Sequence, residues 1–155
     1  MAASNGESNG EAMIDVALAR IVMHEGAERQ YIFLNECGGK RGFPIVIGNN
    51  EAGEIHRVVA GLESERPLTH QLCFNTIGAL NSSLKRVDIV DLRHNTFFAQ
   101  LVLQDASGAE TAVIDARPSD AIALALRASC PIRVSEKVLA VASVSDESGE
   151  AESEE

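Results

Sequence analysis

The stretch from Thr111 to Arg127 constrains the fold more than any other. Thr111 to Ile114 favours a strand. Pro118 fits the first helical position, where its missing N–H costs nothing. From Ala121 to Leu126 nearly every residue is apolar and a strong helix former. That predicts a helix buried on most sides. Yet the turn between strand and helix carries Asp115, Arg117, Ser119 and Asp120. A structural turn explains them if Asp120 answers the helix dipole, Ser119 or Asp120 caps free N–H groups, and Asp115 pairs with Arg117. A functional site is the alternative explanation.

Around this stretch the chain reads as hairpins with helices inserted between them. Met13 to His24 alternates as a strand, and Gln30 to Asn35 returns after the turn at Glu25–Glu28. Glycines 38, 39 and 42 mark a loop, and Phe43 to Ile47 reads as a third strand. Asn49 or Asn50 is placed to cap a helix running to Gly61, with Ala52, Ile55, Val58, Val59 and Leu62 inward and Glu51, Glu54 and Arg57 outside. Thr69 is a candidate cap for a helix from His70 to Asn81, with Leu72, Cys73, Ile77 and Leu80 inward. Leu84–Arg93, Thr96–Gln104 and Glu110–Asp115 form a meander, turning first at His94–Asn95. In its first strand Val87, Ile89 and Asp91 are expected on one face. Pro131 closes the central helix, Ile132–Val134 is a short strand, and Ser135 caps a last helix to about Ala142. Runs of hairpins with inserted helices imply an α+β domain, with about four helices packed on an antiparallel or mixed sheet.

Charge is segregated. The net charge is −10, but eight of the 23 acidic residues lie in residues 1–12 and 143–155, which hold no Lys or Arg. The span 13–142 is therefore near neutral, and the two ends read as disordered by composition. The domain is not excluded from binding a polyanion, though no basic run demands one. Aromatics are 4% and Trp is absent, which argues against base stacking as the main hold on nucleic acid. Cys37, Cys73 and Cys130 show neither disulfide nor zinc spacing and read as reduced, mostly buried thiols. No apolar run approaches the ~20 residues of a membrane span, and no signal peptide is evident, so a soluble cytoplasmic protein is expected.

No HExxH or GxSxG motif is present. The Gly38–Gly42 run lacks the Gly-Lys-Ser/Thr ending of a phosphate loop and is followed by strand. His24 and His56 read as surface or packing residues. Arg66-Pro67-Leu68-Thr69-His70 sets a cation and a base at a helix start.

The order of Phe43–Gly48, Glu51-Ala52, Arg66–His70, Asp91-Leu92-Arg93, Thr96–Ala99 and the block Asp115-Ala116-Arg117-Pro118-Ser119-Asp120-Ala121 closely resembles the bifunctional nuclease (DNase/RNase) domain family. The resemblance runs from about Asp15 to Ala142. Asn49-Asn50, His94-Asn95 and Phe98 depart from its common pattern. The resemblance implies an α+β domain, often oligomeric, that degrades DNA and RNA. It maps the family's polar positions onto Glu51, Arg66, Thr69, His70, Asp91, Arg93, Asp115, Arg117, Ser119 and Asp120. In the mechanism these suggest, Asp115 and Asp120, with Asp91 or Glu51, hold Mg²⁺ or Mn²⁺. Arg117, with Arg66 or Arg93, grips the phosphodiester, and His70 moves a proton. Cleaving both polymers without strong sequence preference requires reading the backbone alone.

The rival is a non-catalytic, oligomeric binding or regulatory module, in which the Asp-Ala-Arg-Pro-Ser-Asp turn is an ion-pair lock or a subunit contact. Burial of Arg117 against Asp115 would favour it. An open cleft lined by both carboxylates would favour the enzyme. The acidic end is read as a solubilising segment, or as a nucleic-acid mimic covering the chain's own groove.

Overall fold

A computed structural model describes residues 11–143. Most of the two acidic end segments, residues 1–10 and 144–155, lies outside the described residues. Two antiparallel meanders make up most of the sheet. The first is β1 (Met13–Val22), β2 (Arg29–Glu36) and β3 (Gly42–Gly48). Helices α1 (Asn49–Ala60) and α2 (Thr69–Ala79) lead to the second, β4 (Ser83–Arg93), β5 (Thr96–Gln104) and β6 (Glu110–Ala116). Helix α3 (Pro118–Ala128) then returns the chain to the middle. There β7 (Ile132–Ser135) slots between β1, antiparallel, and β4, parallel, before α4 (Glu136–Ala142). The order is β3-β2-β1-β7-β4-β5-β6, a seven-stranded mixed sheet in an α+β domain. Four residues of β7 thus join two three-stranded halves.

One face of the sheet carries the core. Val16, Ile32, Leu34, Ile45, Ile89, Leu101 and Val134 point to the helices, where Ala52, Ile55, Ile122, Leu124 and Leu139 meet them in one cluster. Strand alternation sends the intervening side chains to the opposite, open face. There Asp88 is paired by Arg86 and Arg133, and Arg86 reaches Glu110. A bulge between Ile89 and Asp91 rephases β4. Asp91 therefore does not share the face of Val87 and Ile89. It lies opposite Phe98, with Arg93 bonded to it at 2.9 Å and stacked on the Phe98 ring. Phe97 turns inward against Phe43.

The turn chemistry holds. His94 and Asn95 both take positive φ, Pro118 opens α3, and Ser135 Oγ accepts from Val138 N at 3.2 Å. Other expectations fail. Neither Asn49 nor Thr69 caps its helix. The N-cap residues are Gly48 and Leu68, and Asn49 Oδ1 instead accepts from Gln30 at 2.6 Å. Glu54, expected outside α1, is buried. Val59, Leu62, Leu72, Cys73 and Leu80, expected inward, are exposed, and Cys37 is exposed too. All three cysteines are free thiols, and burial pushes Cys130 up to about 11. No helix among the described residues is long and apolar enough to cross a membrane.

Candidate functional site

Four side chains from three helices meet where α1, α2 and α3 begin. Glu51 comes from the first turn of α1, His70 from the second residue of α2, and Arg117 and Asp120 from the start of α3. His70 Nε2 lies 2.7 Å from Asp120 Oδ1. Arg117 Nε donates to Asp120 Oδ2 at 2.8 Å, and its Nη2 is shared between Asp120 Oδ1 at 3.1 Å and Glu51 Oε1 at 3.2 Å. A side chain on Gly48 would collide with the Glu51 carboxylate, so this N-cap glycine makes room for it.

None of the three helices has a side-chain cap at its N-terminus. Each helix start leaves backbone N–H groups without helical partners and carries about half a positive charge. Three such ends around one cluster favour an anion there. Burial raises the Asp120 carboxyl, but the bonds from Arg117 and His70 outweigh it and hold it below the usual carboxylate range. Arg117 is held above its ordinary value by Asp120 and Glu51. Its side chain is nonetheless 65% exposed, and its Nη1 is uncommitted among the described residues.

One turn deeper lies a second network that the sequence did not reveal. Glu54 is 1% exposed and receives Arg127 through Nε at 3.0 Å and through Nη2, and Arg57 Nη2 at 2.9 Å. Arg127 also donates to Gln71, the neighbour of His70. Burial drives the Glu54 carboxyl up, and the two guanidinium groups more than reverse it. The signal was present at Arg127, a cation closing an otherwise apolar helix, whose long stem can be buried only if its head is paired.

The structure divides the expected site residues. Glu51, His70, Arg117 and Asp120 come together. Arg66 lines a cleft beside them, formed by α1, α2, α3 and the connector 61–68. Thr69 is exposed at the first turn of α2, and Ser119 is buried in the first turn of α3. Asp115 is a correction. It stands opposite Gln100, which stands opposite Asp88, so all three lie on the open face. Asp91 and Arg93 share that face. Asp115 thus points away from the helix side of the sheet, where Asp120 lies. Among the described residues no three His, Cys, Asp or Glu side chains converge as metal ligands. Both Asp120 oxygens and one Glu51 oxygen are taken by Arg117 and His70, so this donor set does not fit Mg²⁺ or Mn²⁺. Arg117 pairs within the turn with Asp120 and not with Asp115, and it is exposed rather than buried against the turn.

Comparison with known proteins covers the stretch of chain that holds these residues. The family model for the bifunctional nuclease domain matches residues 32–147. Two proteins of Mycobacterium tuberculosis strains, Uncharacterized protein MT1877 and Uncharacterized protein Rv1829, are each 41% identical over 140 residues, covering 89% of this chain and 82% of theirs. Bifunctional nuclease 1 of Arabidopsis thaliana is 28% identical over 92 residues, 59% of this chain and 28% of its own length.

Proposed function

The chain belongs to the bifunctional nuclease domain family, and we propose that it hydrolyses phosphodiester bonds of DNA and RNA without strong sequence preference at the His70–Asp120–Arg117 cluster. The observation that carries this reading is the meeting of three uncapped helix N-termini around a His–Asp pair. An ionised Asp120 accepts from His70 Nε2 and so leaves Nδ1 as the nitrogen that takes up a proton. His70 Nδ1 takes a proton from the attacking water as its oxygen bonds to phosphorus. The P–O bond to the leaving sugar oxygen breaks, that oxygen takes a proton from solvent water, and the protonated His70 returns its proton to solvent. Arg117 Nη1 and the helix N-termini face the non-bridging phosphate oxygens, where charge builds up. None of these groups addresses a base edge or the 2′-OH, which suits a substrate read by its backbone. The three free cysteines suit a reducing, cytoplasmic setting.

The test is cleavage of single-stranded DNA and RNA by highly purified protein, with Mg²⁺, Mn²⁺ or EDTA, beside His70→Ala and Asp120→Asn variants purified identically. Cleavage lost in both folded variants supports the site. Equal cleavage by all three proteins means contamination or another site.

A second reading rests on a different surface. Helix α2 buries no residue completely, and Leu72, Leu80 and Ile114 are exposed where it meets the edge strand β6. An apolar groove of about 460 Å³ runs between α2 and the β5–β6 edge, lined by Leu72, Cys73, Ile77, Leu80, Leu103 and Ile114. This fits a non-catalytic homo-oligomeric module, with a second copy covering the groove. It also fits an oligomeric nuclease. Sedimentation of the wild type and of Leu72→Glu decides it. A monomer in both cases rejects the oligomer, and dissociation by the variant alone supports it.

A further inference from the structure

The cleft beside the cluster has a composition that the hydrolytic site does not use. It encloses about 620 Å³ between the C-terminal half of α1, the connector 61–68, α2 and the end of α3, a volume ordinary for a small-molecule site. Phe74, Leu62 and Leu126 give it apolar walls, and Arg57 and Arg66 give it cations. Arg66 is exposed and enters no ion pair among the described residues. Arg57 spends Nη2 on Glu54, while its Nε is buried with no hydrogen-bond partner among the described residues. The Arg57 side chain is 35% exposed and its Nη1 has no partner among the described residues, so an acceptor in the cleft has this donor to meet. Gln71, the residue after His70 in α2, lines this cleft, which none of the four cluster residues lines.

We propose that this cleft takes one unpaired nucleotide of the substrate strand, next to the phosphodiester held at His70. Its phosphate lies on Arg66 and Arg57, and its base lies against Phe74, Leu62 and Leu126. A base in a duplex is stacked and paired and cannot enter such a cleft, so the substrate class is single-stranded nucleic acid. Glu63 and Glu65 also line the cleft. They offset its cations, so affinity comes from one phosphate plus base contact and depends only weakly on salt. The choice of a nucleotide over another anion rests on the nuclease reading, whereas the cleft itself does not.

The test is calorimetric titration of the full chain with adenosine 5′-monophosphate and, separately, inorganic phosphate. Saturable one-to-one nucleotide binding is expected, weaker for phosphate. Arg66→Glu, on the exposed connector, should weaken it about tenfold, the loss of one charge-assisted bond. Ser64→Trp, which fills the cleft from its rim, should block it. His70→Ala should bind as the wild type does. The proposal is overturned by absence of saturable binding to the folded wild type at millimolar nucleotide. It is overturned equally by binding that survives both Arg66→Glu and Ser64→Trp, by phosphate binding as tightly as nucleotide, or by binding lost in His70→Ala. Nucleotide bound through Arg66 by a protein that cleaves nothing rejects the nuclease reading and leaves the cleft standing.

Discussion

His70 and Asp120 are 50 positions apart in the chain, and their side chains meet at 2.7 Å between Nε2 and Oδ1. The contact ties the start of α2 to the start of α3 and fixes the orientation of the His70 ring.

His70→Ala should lower the cleavage rate about 10²- to 10⁴-fold, the usual range for a general base. Circular dichroism would establish that the fold is kept. A rate within experimental error of the wild type would remove His70 from the chemistry.

Asp115→Asn should leave cleavage unchanged, because Asp115 faces the open side of the sheet, away from Asp120. A loss comparable to that of Asp120→Asn would mean that the catalytic face has been misassigned.

Glu54→Ala should be among the most destabilising single changes in the domain. It strands Arg127 and the already part-orphaned Arg57 around a vacated carboxylate. Breaking a buried ion pair on one side costs about 3–5 kcal/mol. Urea unfolding of the variant measures this, and a cost under about 1 kcal/mol would show that the network is solvated.

Acid should weaken the fold through the same groups. Glu54 and Asp120 both have folded pKa values below their ordinary 4.5 and 3.8. Such groups add stability that is complete above those ordinary values and is lost as pH falls below them toward the folded values. The urea midpoint should therefore hold at neutral pH and fall below about pH 4.5. In Glu54→Gln, less stable throughout, that fall should be shallower. An equal slope in both proteins would assign acid sensitivity elsewhere.

Ser129 ends α3 in the left-handed region, φ 52°, exposed and with its N–H bonded back to the last turn. Ser129→Gly should raise stability by about 0.5–1 kcal/mol, since glycine takes that conformation without steric cost. Thermal unfolding would register the gain, and a lower melting temperature would contradict it.

Much of the local structure was legible because it depends on neighbours in sequence. The strand alternation, the His94–Asn95 turn, Pro118 at the head of α3 and the Ser135 cap each involve a few consecutive residues. Errors arose where an element's surroundings decide. The apolar stripes of α1 and α2 were visible, but not which side the sheet would cover. Leu72 at 58% and Leu80 at 72% exposure therefore lie outside the core. Glu54 read as a surface charge because its two guanidinium partners lie three and 73 positions away.

By itself the sequence determined the α+β class, the family, and the density of polar groups in the turn from Asp115 to Asp120. Only the tertiary structure decided how those groups are divided. The pleat of β6 throws Asp115 to the open face, while the turn into α3 carries Arg117 and Asp120 to the helix side, where α1 brings Glu51 and α2 brings His70. Five positions in sequence fix proximity along the backbone, but side-chain direction depends on pleat and helix phase, and the partners come from elements set in place by the sheet.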